Sequence, residues 1–276
     1  MSQKLFVNSI ENYLKTKNKT NLKILKKNFE ILKKTDLNRD KRYLIIKKLG
    51  KNKKDLYNKM SLIGKISNLI PQNSKKDFIV EVKPKIKILK KIKNKIDIKK
   101  NLRYHQTNIG GSIHTDGPQL EKPPKYVVMG CVNNSDRGGH SIILDSKKLY
   151  QKIHKDTKLK KSLNKKFYFE RRGFSGKKIL IKQIFTNSKK NYSFRYLRDY
   201  INSAYNLKNK KIAPMKLRLL DRIDQLMKNK SLHKRYKLMK GDIIILNNFR
   251  LAHGRTDFSL NEKNSQRNLL RMWLKK

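Results

Sequence analysis

The sequence predicts an α+β protein with a double-stranded β-helix (jelly-roll) core, a helical N-terminal region and a helical insert. Two observations lead to this prediction. Residues 5 to about 70 place apolar side chains at mixed three- and four-residue spacings, as amphipathic helices do. From residue 104 onward, short runs rich in β-branched and aromatic residues are bounded by turn residues. Many short strands around a few helical stretches are typical of a jelly roll.

The N-terminal region, residues 1–70, is predicted to be a helical packing scaffold. Breaks between its helices are expected at Asp36-Leu37-Asn38 and at Gly50-Lys51-Asn52, because residues that favour turns interrupt the apolar pattern there. A turn at residues 71–74 precedes the alternating stretch Phe78 to Pro84, which predicts the first strand. The basic stretch Ile86 to Lys100 is predicted to be a strand end followed by a surface loop.

The jelly-roll core is predicted over residues 71–276, with an insert at about 146–235. Its strands are predicted at residues 126–132, 140–144, 167–174, 179–181, 243–246 and 268–274. Helices are predicted from Ser146, as a Ser cap, to about Leu163 and from Met215 to Met227. Because no Pro/Gly/Ser-rich linker divides the sequence, we expect a single domain over residues 1–276.

The net charge of +51 comes mostly from lysine: 15 of the 71 basic residues are Arg, which leaves 56 Lys. A strong positive charge attracts nucleic acid in general. Here, however, the lysines are spread through the sequence and interleaved with Asn and Ile, and A/T-rich codons encode all three residue types. Genome base composition therefore accounts for the charge, and nucleic acid is not expected as a partner.

The sequence also suggests a cellular compartment. No apolar run approaches the roughly 20 residues that cross a bilayer, so no membrane association is expected. The first residues lack the apolar stretch of a secretion signal. The single cysteine, Cys131, allows no internal disulfide, which is consistent with a reducing environment. We therefore expect a cytoplasmic protein.

Residues 110–117 contain the clearest chemical signal. His114 and Asp116 are two apart, so on an extended segment both side chains point to the same face. Gly110-Gly111 and Gly117 flank them and would let the backbone bend closely around an ion. His253, brought from far along the chain, would complete a 2-His-1-carboxylate triad, which binds Fe(II) and leaves positions open for co-substrate and O2.

Four motifs, in this order, extend that signal over roughly residues 70 to 276. They are Ile113-His114-Thr115-Asp116-Gly117, Gly138-Gly139-His140-Ser141, Gly241-Asp242-Ile243-Ile244-Ile245-Leu246-Asn247-Asn248 leading to His253-Gly254-Arg255-Thr256, and Arg267-Asn268-Leu269-Leu270-Arg271-Met272-Trp273-Leu274. In order and spacing they resemble the taurine dioxygenase (TauD/TfdA) family of Fe(II)- and 2-oxoglutarate-dependent oxygenases, in particular its clavaminate-synthase-like members.

The resemblance implies a metal and two co-substrates. His114, Asp116 and His253 would be the catalytic ligands of Fe(II), with 2-oxoglutarate and O2 as co-substrates. In related halogenating enzymes a small residue replaces the carboxylate ligand. Because Asp116 is present here, the implied reaction is hydroxylation, or another oxidation begun by removing hydrogen, with release of succinate and CO2.

The resemblance also implies how 2-oxoglutarate is bound. Ser141 stands where the family usually has Thr and would donate to the distal carboxylate of the co-substrate. Arg267 would pair with that carboxylate. Arg255 and Arg271 would lie beside the metal and contact either the co-substrate or an anionic group of the substrate, and the sequence leaves open which arginine has which task.

The substrate is predicted to be a small anionic or zwitterionic metabolite. Phe194, Arg195 and Arg198, in the insert, combine an aromatic ring with cations that suit a carboxylate, sulfonate or phosphonate group. The alternative is that Arg198 forms a local ion pair with Asp199 and that the aromatic residues belong to the core. Residues 104–108 lead into the metal motif and are predicted to line the pocket.

Two other functions remain open at this level. One is a basic nucleic-acid-associated protein with a non-catalytic barrel, whose affinity would fall steeply with salt. The other is an oxygenase that acts on a macromolecule such as RNA or protein, for which the positive surface would have a use. Because family members are often dimers or tetramers, the resemblance is also compatible with a homo-oligomer.

Overall fold

The computed structural model describes residues 2–39, 41–73, 75–85, 106–110, 112–173, 176, 178–188, 192–260 and 267–275. The predicted loop from Ile86 to Lys100, residues 104–105 of the predicted pocket lining, and Ser74, Gly111 and Phe174 lie outside these ranges. Within them, helices cover the outer faces of two antiparallel sheets that pack against each other. The predicted α+β class with a jelly-roll core is confirmed.

The N-terminal region contains helices and two strands of the core sheet. Its elements are α1 (Ser2–Thr16), α2 (Lys19–Leu32), a π-helical turn (Lys33–Leu37), β1 (Tyr43–Ile46), α3 (Lys53–Lys65) and β2 (Leu69–Ile70). The prediction of a helical region over residues 5 to about 70 is therefore wrong at β1 and β2. Pairing with strands late in the chain decides their conformation. The predicted breaks are confirmed, and Asn52 caps α3 by accepting a hydrogen bond from the Asp55 amide.

Seven of the other strands that the structure describes match predicted ones, whereas those at residues 185–187, 192–194, 233–236 and 251–255 were not predicted. In chain order, the other strands are β3 (Ile79–Val82), β4 (Tyr126–Asn133), β5 (Ser141–Asp145), β6 (Lys166–Glu170), β7 (Ile179–Gln183), β8 (Phe185–Asn187), β9 (Tyr192–Phe194), β10 (His233–Tyr236), β11 (Ile243–Asn247), β12 (Leu251–Arg255) and β13 (Asn268–Leu274). The larger sheet has the order β1-β11-β4-β13-β2, with β3 also paired to β13, and the smaller sheet has the order β10-β5-β12.

The strand β11 shows how the larger sheet separates two cores. Successive side chains of a strand point to opposite faces. Ile243 and Ile245 accordingly pack against the N-terminal helices, whereas Ile244 and Leu246 point between the two sheets. Both faces are buried, so the strand reads as a continuous apolar run.

The insert contains two β-hairpins as well as helices. Its helices are α4 (Ser146–His154), α5 (Thr157–Lys160), α6 (Arg198–Leu207), α7 (Pro214–Lys228) and a 3-10 turn (Lys230–Leu232), and its hairpins are β6-β7 and β8-β9. The predicted helix from Ser146 to about Leu163 is thus two helices. Asp145 caps the first in place of Ser146, and Asp156 caps the second, because each carboxylate accepts from a backbone amide of the first turn.

The helices in the described ranges are short relative to the thickness of a bilayer. None of them is both long enough and apolar enough to cross a membrane. The longest, such as α1 and α7, have 15 residues, whereas a membrane-spanning helix needs about 20.

Candidate metal centre

The candidate metal centre begins with two histidines that are cross-strand neighbours. The His114 amide donates to the His253 carbonyl at 2.9 Å, and the His253 amide donates to the His114 carbonyl at 2.8 Å. Two such reciprocal bonds form a hydrogen-bonded antiparallel pair. The pairing places the two imidazole centroids 4.9 Å apart. Backbone geometry alone therefore brings together the two imidazoles that the sequence separates.

Asp116 completes the cluster. Its Oδ1 lies 3.7 Å from His114 Nε2 and 4.0 Å from His253 Nε2. Each of the three residues offers one ligand atom, and these atoms all lie within 4.8 Å of one another. The three residues of the predicted triad are thus brought together in the structure.

Nε2 is the ring nitrogen of both histidines that faces Asp116, and the hydrogen bonding of His114 and the burial of His253 suit a ligand role. His114 Nδ1 is 3.0 Å from the Ser112 carbonyl, which can only accept, so Nδ1 donates there and Nε2 is the nitrogen that faces the cluster. Burial lowers the pKa of His253 to about 4, even though the nearby Asp116 carboxylate acts in the opposite direction. At neutral pH His253 is therefore neutral, as a metal ligand must be.

Two long-range contacts hold the Asp116 carboxylate. Trp273 Nε1 donates to Oδ2 at 2.8 Å, and Arg271 Nη1 donates to Oδ1 at 3.2 Å. Burial by itself would raise the pKa of Asp116, but the Arg271 charge, followed by the two histidines, holds it well below its usual range. The carboxylate is consequently ionised although it is 4% exposed.

These residues fit an Fe(II) ion. Two neutral imidazoles and one ionised carboxylate are the donor set of the 2-His-1-carboxylate iron sites. Nitrogen and oxygen ligands lie about 2.0 to 2.2 Å from a first-row metal, so two ligands of one ion are at most about 4.4 Å apart. The two separations of 3.7 and 4.0 Å lie within that limit.

A cavity between the two sheets adjoins the cluster. Its lining is mainly apolar, with a few polar and cationic groups; the residues are Val82, His114, Met129, Ser141, Ile142, Ile143, Ile244, Leu246, His253, Gly254, Arg255, Arg267 and Arg271. An apolar pocket with a few converging polar groups is the usual form of a small-molecule site. The four residues predicted to bind the co-substrate, Ser141, Arg255, Arg267 and Arg271, are all in this lining.

Two of the predicted arginines lie around one aromatic ring. The guanidinium carbons of Arg255 and Arg267 are 4.7 and 5.5 Å from the centroid of Phe258. Arg255 also donates to the carbonyls of Thr107 and Asn108, at 3.1 Å for Asn108. Arg255 therefore anchors the segment that leads into the metal motif, in addition to lining the cavity.

Arg271 is fixed beside the cluster by Gln72. The Arg271 Nε donates to Gln72 Oε1 at 2.8 Å, and Gln72 Nε2 donates back to the Arg271 carbonyl at 2.7 Å. The Arg271 guanidinium lies 5.2 Å from the centroid of Trp273. In the sequence, residue 72 is predicted only as part of a turn, and nothing there indicates its contact with Arg271.

Gly110 and Gly117 allow close packing around the metal motif. Gly117 has φ +63°, and a Cβ there would lie 2.7 Å from Pro124 Cδ. A Cβ on Gly110 would lie 2.4 Å from the Asp257 amide nitrogen. The two glycines are therefore needed because the backbone here passes close to Pro124 and to the Asp257 backbone.

Of the residues predicted to bind substrate, Phe194 and Arg195 are occupied with packing. Phe194 is 2% exposed in the core of the insert. Arg195 Nη1 donates to the carbonyls of Pro118 and Leu120 at 2.7 and 2.6 Å. Burial lowers the pKa of Arg195 to about 10. Neither residue lines the cavity in the described part of the chain, and their role in substrate binding stays a prediction.

Arg198 is held by two carboxylates of α7. Its Nη1 donates to Asp224 Oδ2 at 2.8 Å, and its Nη2 donates to Asp221 Oδ1 at 3.0 Å. The structure thus contains the local ion pair that the sequence left open, with Asp221 and Asp224 as its acids in place of Asp199. Arg198 is likewise not among the cavity-lining residues.

A model of the taurine catabolism dioxygenase TauD, TfdA family matches residues 40–273. No curated protein matches the sequence.

Several solved structures have the same fold. Asparagine oxygenase in complex with Fe(II), 2S,3S-3-hydroxyasparagine and succinate has a TM-score of 0.65 and 11% identity, over 99% of this chain and 91% of that one. The non-heme iron oxygenase OrfP in complex with Fe and alpha-ketoglutaric acid gives the same four values. The PvcB protein from Pseudomonas aeruginosa has a TM-score of 0.59 and 15% identity, over 90% of this chain and 79% of that one. At such identities the likeness shows the fold.

Proposed function

The chain belongs to the taurine catabolism dioxygenase TauD, TfdA family and is therefore an Fe(II)/2-oxoglutarate-dependent oxygenase, and we propose that it hydroxylates a small zwitterionic or anionic metabolite. The observation that carries this proposal is the His114, Asp116 and His253 cluster at the end of a cavity lined by arginines. In the proposed reaction, 2-oxoglutarate yields succinate and CO2 while a substrate C–H bond is oxidised. When bound, Fe(II) supplies the redox chemistry with O2.

The ligand residues would hold the metal in a preformed site. His114 Nε2, His253 Nε2 and Asp116 Oδ1 are the three ligand atoms that we propose. Trp273 donates to Asp116 Oδ2, while Oδ1, which also accepts from Arg271, faces the imidazoles. The bond from His114 Nδ1 to a backbone carbonyl orients its ring, as is common for metal-binding histidines. Little reorganisation would then be needed when the ion binds.

The cavity would take 2-oxoglutarate with its distal carboxylate at Ser141 and Arg267. A buried carboxylate needs a cation and further hydrogen bonds, because an unpaired buried charge is very unfavourable. Arg267 is 5% exposed and lines the same cavity as Ser141. The apolar side chains between the sheets would pack on the methylene groups of the co-substrate and keep water out.

Arg271 is proposed to act at the metal end of the cavity. Its contact with Asp116 Oδ1 keeps that carboxylate ionised, and its link to Gln72 fixes the guanidinium in place. A fixed guanidinium at this point suits an anionic group of the co-substrate or of the substrate. Asparagine oxygenase and OrfP have been solved with hydroxyasparagine and with (3S)-hydroxy-L-Arg, which supports an amino-acid-like substrate for this chain.

We further propose that residues 1–276 form a single domain that acts in the cytoplasm on a small molecule, and not on nucleic acid. Support for the single domain comes from β1, in the N-terminal region, which pairs with β11 of the core. The proposal for the partner rests on the buried cavity, which has the character of a small-molecule site. Salt-insensitive turnover of a small substrate would exclude a macromolecular one.

The proposed function is tested by adding Fe(II) and then 2-oxoglutarate to the protein without oxygen. The weak visible charge-transfer band of the chelated complex should appear in the wild type and be absent in His114→Ala, because that variant lacks one of the three ligands. Oxygen should then give succinate, in larger amounts when an amino acid substrate is present. Folded wild-type protein that forms neither the band nor succinate would contradict the proposal.

A further inference from the structure

The Asp116 backbone has an unusual partner, the side chain of Asn248. The Asp116 amide donates to Asn248 Oδ1 at 2.8 Å, and Asn248 Nδ2 donates to the Asp116 carbonyl at 2.9 Å. The same Nδ2 also donates to the Pro124 carbonyl at 2.9 Å. One amide side chain thus binds both polar groups of the Asp116 peptide backbone, as a neighbouring strand would.

This contact has a reason in the local geometry. His114 pairs with His253 as a β-bridge, but Asp116 lies beyond that bridge, in a bend outside the strands. A buried backbone amide or carbonyl without a partner is unfavourable. Asn248 supplies that partner where the sheet does not, and it is itself 1% exposed.

The position of Asn248 also links two distant segments. It follows β11 directly, in the short connection to β12, which carries His253. The segments that carry the three proposed ligands are therefore joined at two points. These are the reciprocal bonds between His114 and His253, and the amide of Asn248 on Asp116.

We propose that Asn248 is a positioning residue for the metal centre, whose amide fixes the Asp116 backbone so that the carboxylate meets both imidazoles before an ion binds. The inference rests on the proposed function, since it assumes that Asp116 is a ligand. Groups that orient metal ligands typically change metal affinity about 10- to 100-fold when they are removed.

The neighbouring Asn247 provides a matched control. It is also a buried asparagine, 3% exposed, but it points to the opposite side of the strand end. Its Nδ2 donates to the Leu37 carbonyl at 3.0 Å, and its Oδ1 accepts from the Phe249 amide at 3.1 Å. It therefore holds the N-terminal region and makes no contact with the ligands among the described residues.

The experiment is a Co(II) titration of the full chain, followed through Trp273 fluorescence. Trp273 is the single tryptophan of the sequence, and its Nε1 bonds to Asp116, so a paramagnetic ion at the cluster should quench it. The variants are Asn248→Ala, Asn248→Asp and Asn247→Ala. Asn248→Asp keeps the size of the side chain but replaces its Nδ2 donor with an oxygen. Urea unfolding of each metal-free variant gives its stability separately.

Both alanine variants should unfold at lower urea, because each loses buried hydrogen bonds. The two Asn248 variants should also bind Co(II) about 10- to 100-fold more weakly, whereas Asn247→Ala should retain wild-type affinity. If both Asn248 variants bind Co(II) as tightly as the wild type, Asn248 has only a structural role and the inference is overturned. If the wild type itself binds no Co(II), the proposed function fails, and the inference fails with it.

Discussion

Arg267 and Arg271 line the cavity beside the metal cluster, whereas Arg195 and Arg198 lie in the insert and are bound to carbonyl and carboxylate groups of their own surroundings. In the sequence the insert pair lies among aromatic residues and the cavity pair lies in the last motif, where Arg271 precedes Trp273 by two positions, and both pairs suggest anion binding. The structure separates them by their partners. Arg195 meets backbone carbonyls and Arg198 meets two acids, so each guanidinium already has partners within the fold.

Arg255 shows that the two roles are not exclusive. It lines the cavity, yet its guanidinium also donates to the carbonyls of residues 107 and 108. What distinguishes a ligand-binding arginine is therefore its access to a cavity, in addition to the acceptors it already has. Substitutions of the cavity arginines should weaken ligand binding, whereas substitutions of the insert arginines should lower the stability of the fold.

The largest effect is expected for Arg267→Ala. The variant removes the proposed cationic partner of the buried distal carboxylate of 2-oxoglutarate, and such a loss costs about 2 to 5 kcal/mol. At about 1.4 kcal/mol per tenfold, half-saturation in the anaerobic titration with Fe(II) should need at least about 30-fold more 2-oxoglutarate.

Arg267→Lys is the matched variant, because it keeps the charge and loses the planar fork. Its half-saturation should lie between those of the wild type and Arg267→Ala. If both variants titrate like the wild type, Arg267 does not bind the co-substrate. The proposed difference in role between the cavity arginines and the insert arginines would then be wrong for Arg267.

A smaller effect, and of a different kind, is expected for Arg195→Met. The carbonyls of Pro118 and Leu120 would lose their charged donor, and a buried acceptor without a partner costs about 1 to 3 kcal/mol. Urea unfolding should show this loss, while half-saturation by 2-oxoglutarate stays at the wild-type value. Lost turnover of an amino acid substrate at unchanged stability would instead support the prediction that Arg195 binds substrate.

The sequence was sufficient for the parts of the molecule where local pattern and residue chemistry agree. The continuous apolar run of β11 and the helical spacing of α7 each predict an element that the structure contains. His114, Asp116 and His253 were predicted from the His-x-Asp spacing, from the donor set that Fe(II) prefers, and from four ordered motifs that resemble the TauD/TfdA family. Their motifs are also local, apart from the single long connection to His253.

Long-range partners account for most of what the sequence could not predict. Tyr43–Ile46 becomes a strand because it pairs with β11, about 200 residues later. Asn248 and Trp273 stand within motifs that were recognised, but their contacts with Asp116 depend on the folded arrangement of three segments. The acceptors around Arg195 are backbone carbonyls, which every residue has, so the sequence contains no signal for them.

The smallest effect is expected for Arg198→Met, which tests the other insert arginine. Burial raises the pKa of Asp224, although the Tyr196 hydroxyl and the Arg198 charge act in the opposite direction. Without Arg198, the partly buried Asp224 carboxylate would keep Tyr196 as a donor and lose its cation. The expected loss of stability at pH 7 is about 1 kcal/mol, because the pair is partly exposed.

The pH dependence of this loss of stability shows whether it arises from the charge of Arg198. A raised pKa means that the folded protein binds the Asp224 proton more tightly than the unfolded chain does, so protonation favours folding as the pH falls. The penalty of Arg198→Met should therefore shrink as the pH falls and Asp224 becomes neutral, because the neutral carboxyl no longer needs a cation. Asp221→Asn is the control: its side chain is 60% exposed, so its loss should hardly change the free energy of unfolding. A penalty for Arg198→Met that is independent of pH would mean that Arg198 stabilises the insert by packing. Arg198 would then differ from Arg267 because it acts through the shape of its side chain and not through its charge.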